Sequence, residues 1–245
     1  MKCFLITLFI SNVFAMNADS LFIQGNTYFE NDQYARSART FERLLSLAEH
    51  EDLYYNLGNA YYRMGEVGFA VWAYEKGLQF DPRNKDIKHN LELVNTRVKD
   101  RIEVPEGFVL LDWYRSIKNS TTVNDLLAWG SGFLLLVGMI YFFRQFRFIG
   151  RRTSFRLQTT LVVLTILVHS ICLDKYWDVT DTEEGVIVSQ TVNVYSIPAI
   201  RDEMMVFKVH EGLKVEITQY QDHWIEIILL DGKKGWIPDN TFRAL

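Results

Sequence analysis

Two apolar segments constrain this chain more than anything else in it. Leu126–Phe143 (LLAWGSGFLLLVGMIYFF) and Leu157–Leu173 (LQTTLVVLTILVHSICL) each run their whole length without a Lys, Arg, Asp or Glu. Helices of that length reach across roughly 30 Å of hydrocarbon, and neither segment shows the amphipathic period of a soluble core helix. Membrane spans are therefore expected over residues 124–143 and 157–173. Between them, residues 144–156 (RQFRFIGRRTSFR) carry Arg144, Arg147, Arg151, Arg152 and Arg156 and no acid. Short basic loops stay in the cytoplasm, so these five arginines act as topology determinants and place both flanking parts of the chain on the other side.

The opening residues agree with that direction. MKCFLITLFISNVFA supplies Lys2, an apolar run from Cys3 to Phe14 and a small-residue cleavage site at Val13-Phe14-Ala15. A signal peptide over residues 1–15 is expected; an uncleaved anchor is the alternative, and either exports the segment beyond it. Once the signal is removed only Cys172 remains, which excludes a disulfide, a CxxC redox pair and a Cys-based metal site in the exported parts. Apart from the five loop arginines, 21 basic residues face 30 acidic ones. Such a balance excludes nucleic acid as a natural partner.

Several residues near the spans suit a lipid–water boundary. Trp129, Tyr176 and Trp177 fit an outer aromatic belt, and His169 reads as an interfacial histidine rather than a proton relay. Ala128 and Gly132 are expected to let the two spans approach closely. Just before the first span, residues 106–119 read as an amphipathic helix on the outer leaflet, with Phe108, Leu111, Trp113, Tyr114 and Ile117 on its apolar face.

The N-terminal part has an internal repeat. Tyr54, Leu57-Gly58, Tyr61, Ala70, Tyr74 and Pro82 stand at the spacing of two crossing helices, and this stretch resembles the tetratricopeptide repeat. A weaker copy precedes it: Gly25-Asn26, Tyr28, Tyr34 and Phe41 answer Gly58-Asn59, Tyr61, Val67 and Tyr74. Ser37 takes the place of the expected alanine. A tetratricopeptide domain is thus expected over residues 18–101, as repeats of about 18–50 and 51–84 and a capping helix over 86–101. The resemblance implies a concave groove for a protein partner, lined by Phe22, Asn26, Phe29, Tyr55, Asn59, Tyr62 and Arg63. The same aromatics serve equally well as packing between repeats. Some family members clamp a terminal carboxylate there. Asn26 and Asn56 match that clamp, but Phe22, Asp86 and Asn90 replace its basic residues, so no clamp is expected.

After an acidic linker over residues 178–184 the period changes to two. Val215-Glu216-Ile217 and Trp224-Ile225-Glu226-Ile227 alternate in and out, and Asp231-Gly232 marks a hairpin. Residues 185–245 are similar to the bacterial SH3-like domain. Tyr195 and Trp224 are its candidate surface residues, with Trp224 balanced between core and surface, and Trp236 reads as core.

No catalytic constellation accompanies these modules. His50, His89, His169, His210 and His223 are scattered, and no metalloprotease, nucleophile-elbow or phosphate-loop motif is present. The chain is read as a non-enzyme without cofactor or metal. Its expected fold class is a multi-domain membrane protein: an all-α tetratricopeptide domain, a two-helix transmembrane hairpin and a small all-β SH3-like barrel.

That order of modules over the whole chain resembles the Bacteroides aerotolerance operon protein E (BatE-like) family. The resemblance implies a scaffold in the bacterial inner membrane with both soluble domains periplasmic. It also implies von Willebrand A-domain aerotolerance membrane proteins as partners, and oxygen or envelope stress as the setting. An envelope tether that binds peptidoglycan through the SH3-like domain is the alternative.

Overall fold

The computed structural model describes residues 18–100, 109–148, 150–181 and 183–245. The expected signal peptide, and the start of the amphipathic helix with Phe108, lie outside these residues. The chain divides into two compact units, Met1–Pro105 with Glu183–Leu245, and Glu106–Thr182.

The first unit begins with five helices: α1 over residues 18–30, α2 (Tyr34–Leu45), α3 (Glu51–Met64), α4 (Val67–Phe80) and α5 (Lys85–Asn95). The sequence period is a packing period. A Cβ on Gly25 would meet the Phe41 ring at 2.5 Å, and one on Gly58 would meet the Tyr74 ring at 2.5 Å. Each hairpin therefore crosses by seating a large ring on a bare backbone. Its turn repeats as well: Asp32 (φ 57) in the first hairpin answers Gly65 (φ 83) in the second, both left-handed. Ser37 is fully buried in the alanine position because its hydroxyl donates to the Gly25 carbonyl at 2.9 Å. Asn84 starts α5 by accepting from the backbone N–H groups of Asp86 and Ile87, both at 3.1 Å.

The same unit contains a seven-stranded antiparallel sheet. Its strands are β1 (Glu183–Ile187), β2 (Thr191–Tyr195), β3 (Met205–His210), β4 (Lys214–Gln221), β5 (Trp224–Ile228), β6 (Lys234–Pro238) and β7 (Phe242–Ala244). Their spatial order is β3-β2-β6-β5-β4-β1-β7. Alternate residues such as Val215, Ile217, Ile225, Ile227 and Ile237 fill its core. Gly232 (φ 83) turns β5 into β6.

Repeats and sheet pack against each other within this unit. Val186 of β1 and Leu245 pack into the helical core instead of the sheet's own. The Trp72 indole donates to the Ala244 carbonyl at 2.8 Å. Arg243 lies over the Phe69 ring at 4.9 Å and the Trp72 ring at 4.7 Å, and donates to Glu42 at 2.9 Å. Lys214 bridges Glu75 at 3.6 Å and Glu184 at 2.8 Å. Asp100, beyond α5, accepts the His210 backbone N–H at 2.6 Å and contacts its ring at 3.0 Å. Gly68 and Gly212 make the close approaches possible: an added Cβ would meet the Ile187 carbonyl and the Val98 side chain, each at 2.5 Å. The expected acidic linker is corrected. Glu183 and Glu184 belong to β1, where Glu184 pairs with Lys214.

The second unit holds α6 (Val109–Ser120), α7 (Val123–Gln145) and α8 (Arg151–Asp181). Tyr114 and Lys118 of α6 both bond Asp174 of α8, and the Lys175 ammonium donates to the Lys118 carbonyl at 2.6 Å. Thr122 and Asp125 form a capping box that starts α7. Helices α7 and α8 are each long and apolar enough to cross a membrane. The basic connection is shorter than the expected 144–156, because Arg151, Arg152 and Arg156 are already helical. The small-residue contact also falls elsewhere. Ala128 is exposed and Gly132 has open space beside it, whereas Gly130 faces the His169 ring so closely that a Cβ would lie 2.1 Å from it.

Trp72 combines a large buried side chain with a donor across the helix–sheet contact. Trp72→Ala is expected to destabilise the first unit by about 3–5 kcal/mol. Repeats and sheet are expected to unfold together at lower urea, followed by circular dichroism on the full-length protein in detergent.

Candidate functional site

A pocket of about 210 Å³ opens on the face shared by α1, α3 and α5. Phe29, Asn59, Tyr62, Arg63, Tyr74, Asn90 and Leu93 line it. Asn59 forms its floor and joins three helices, because its carbonyl accepts from the Tyr74 hydroxyl at 2.7 Å and from the Asn90 amide at 2.8 Å. The buried donors are thereby satisfied, and the floor is rigid.

Two arginines flank this floor. Arg97 stacks on the Tyr62 ring at 4.3 Å and donates to its hydroxyl at 2.8 Å. Arg63 lies over the Tyr34 ring at 4.6 Å, donates to the Tyr34 hydroxyl and contacts Asp32 at 3.6 Å. The Phe29 ring meets Tyr34 edge-on at 5.3 Å. Stacking holds each guanidinium in place and leaves further N–H groups facing solvent. The site thus offers an apolar patch, an amide floor and a positive rim. Among the described residues that line it there is no nucleophile–base pair.

Of the sequence-predicted groove residues, Phe29, Asn59, Tyr62 and Arg63 are brought together here. Phe22 instead packs on Phe41 at 6.0 Å and His50 at 5.9 Å, between elements. Asn26 and Tyr55 are half-buried and do not line the pocket. Sequence reasoning weighed Asn90 only as a clamp position and missed Leu93 and Arg97. The i, i+3, i+7 spacing of Asn90, Leu93 and Arg97 along α5 and just past its end, opposite buried Ile87, Leu91 and Val94, was the available signal.

Tyr195, expected at the sheet's surface, is buried. A bulge between Val194 and Tyr195 turns two consecutive side chains inward. Trp224 is half-buried and meets the Tyr195 ring edge-on at 5.7 Å. Arg147, Arg151, Arg152 and Arg156 are exposed around the α7–α8 turn, and Arg144 is half-buried.

Residues 51–84 match the tetratricopeptide-repeat family model. The match spans α3 and α4, the hairpin that supplies most of the pocket, and tetratricopeptide repeats are typical of non-enzymatic protein-interaction modules. No curated protein matches the chain.

The tyrosines behind the groove set an alkaline limit. Burial pushes Tyr54 up to about 12, and burial followed by Glu42 raises Tyr61 in the same direction. Burial also raises Tyr74. A raised folded-state pKa gives stability that is complete below the unfolded value of about 10 and is lost as pH climbs through the folded one. Helicity is therefore expected to stay constant to about pH 10 and to fall by about pH 12. A step in tyrosinate absorbance should accompany the helix loss, and loss of helicity already at pH 10 would contradict this.

Proposed function

We propose that this protein is a membrane-anchored, non-enzymatic scaffold that gathers partner membrane proteins through its tetratricopeptide groove. The observation that carries the reading is the open pocket of Phe29, Asn59, Tyr62, Arg63, Asn90 and Leu93, built on a repeat of the interaction type. Among the described residues of the first unit the sheet packs against α4 and the segment after α5, away from this face. Helices α7 and α8 are the anchor in this reading, with the arginine turn in the cytoplasm and the two remaining parts of the chain exported. Helix α6 then lies at the outer lipid boundary, its exposed Leu111 and Trp113 being the lipid-facing side chains.

The finer reading follows the resemblance in module order to the aerotolerance operon protein E family. The partners would be von Willebrand A-domain membrane proteins, and the physiological setting oxidative or envelope stress tolerance. Holding a groove in the plane of the membrane raises its effective concentration toward partners in that plane.

Arg63 and Leu93 are exposed, so their substitution leaves the helical core intact. Affinity purification of tagged full-length protein from mildly solubilised membranes is expected to recover von Willebrand A-domain proteins. Arg63→Glu and Leu93→Asp are each expected to reduce that recovery at least tenfold while helicity is unchanged. Undiminished recovery by both variants would overturn the groove. Recovery of wall fragments without these proteins would favour the peptidoglycan tether.

A further inference from the structure

The turn between α7 and α8 carries more chemistry than topology requires. Topology is set by positive charge, which lysine supplies as well as arginine. Yet the turn and the helix ends beside it, residues 144–156, hold five arginines and no lysine, whereas the rest of the chain has eleven lysines and ten arginines. None of Arg144, Arg147, Arg151, Arg152 and Arg156 has a carboxylate partner among the described residues.

The backbone there is specified closely. The Phe148 N–H bonds the Phe143 carbonyl and the Arg147 N–H bonds that of Arg144, the paired pattern that closes a helix with a left-handed residue. Glycine normally fills the left-handed position at no steric cost; here it is Arg147, with φ 61. Phe142 lies tilted against Phe146 at 4.8 Å, and Phe143 meets Phe148 edge-on at 6.1 Å. Phe146, Phe148 and Phe155 remain 59%, 76% and 68% exposed. Guanidinium groups and bare aromatic rings thus alternate around the end of two apolar helices.

We propose that this turn is a binding site for the phosphate headgroups of anionic phospholipids. The inference rests on the reading of α7 and α8 as membrane spans. Their ends lie at the depth of the headgroups, where exposed phenylalanines enter the acyl boundary and guanidinium forks meet phosphate oxygens. The planar fork binds phosphate through two parallel N–H donors, which an ammonium does not reproduce. The site therefore requires arginine, and charge alone does not complete it. A free cytoplasmic phosphate has the same oxygens but offers nothing to the three rings, so the lipid is the occupant.

The test uses full-length protein in nonionic detergent, titrated with phosphatidylglycerol or phosphatidylcholine and read by native mass spectrometry. Wild-type protein is expected to retain phosphatidylglycerol at a concentration at least tenfold lower than phosphatidylcholine. In the R147K/R151K/R152K variant, which keeps the charge that sets topology, that preference is expected to fall several-fold. In R147Q/R151Q/R152Q it is expected to disappear. Equal retention of the two lipids by wild type, or an unchanged preference in the lysine variant, would overturn the proposal. Displacement of phosphatidylglycerol by millimolar inorganic phosphate would assign the site to the free anion and overturn the lipid assignment. Release of the protein from membranes by alkaline carbonate would instead remove the spans themselves. Membrane retention without lipid preference removes only this site.

Discussion

The contact of Arg243 and Trp72 across the helix–sheet boundary holds the first unit together. The Arg243 guanidinium is set between the Phe69 and Trp72 rings and reaches Glu42, which also accepts the Tyr61 hydroxyl. Trp72 answers with a hydrogen bond to Ala244, while Val186 and Leu245 join the helical core. Two helical hairpins bury little surface alone, and a sheet of about 60 residues is marginal without disulfides. Joined, each completes the other's core, so the unit needs no cysteine.

This joining also decides which surfaces remain available. The sheet occupies α4 and the segment after α5, and the α1–α3–α5 face keeps its pocket. Arg63 and Arg97 rest on tyrosine rings, and Asn59 ties α3 to α4 and α5. These contacts hold the face in place without a partner, which lowers the ordering entropy that opposes binding. The tyrosines that support this face are buried and neutral, which favours a rigid platform over a titrating switch.

The repeat was legible because its small and large residues recur at a fixed spacing, and Gly25–Phe41 and Gly58–Tyr74 turn out to be the same contact twice. The alternation of Val215, Ile217, Ile225 and Ile227 was equally readable as strand. What the sequence hid was orientation and long-range pairing. Val186 has the same in-and-out pattern as any core strand residue, although it faces the helices. Arg243 looks like a surface cation until Phe69 and Trp72 are placed beneath it. Helix α7 is apolar all round, so no stripe indicated that Gly130, and not Ala128 or Gly132, faces α8. Within the site, Asn59 and Tyr62 were found from the repeat spacing, but Asn90 was weighed only as a clamp position, and Leu93 and Arg97 belong to α5 and its C-terminal end, outside the matched repeat. Tyr195 was lost to a bulge, which breaks the period that strand reasoning relies on.

A single reagent distinguishes one joined body from two modules. Lys214 lies 3.6 Å from Glu75 of α4 and 2.8 Å from Glu184 of β1, so zero-length carbodiimide coupling reports both contacts from one lysine. Applied to the full-length protein in its membrane and read by peptide mass spectrometry, it is predicted to yield Lys214–Glu75 and Lys214–Glu184 links together. Recovery of Lys214–Glu184 alone would show a sheet detached from the repeats and would contradict the account.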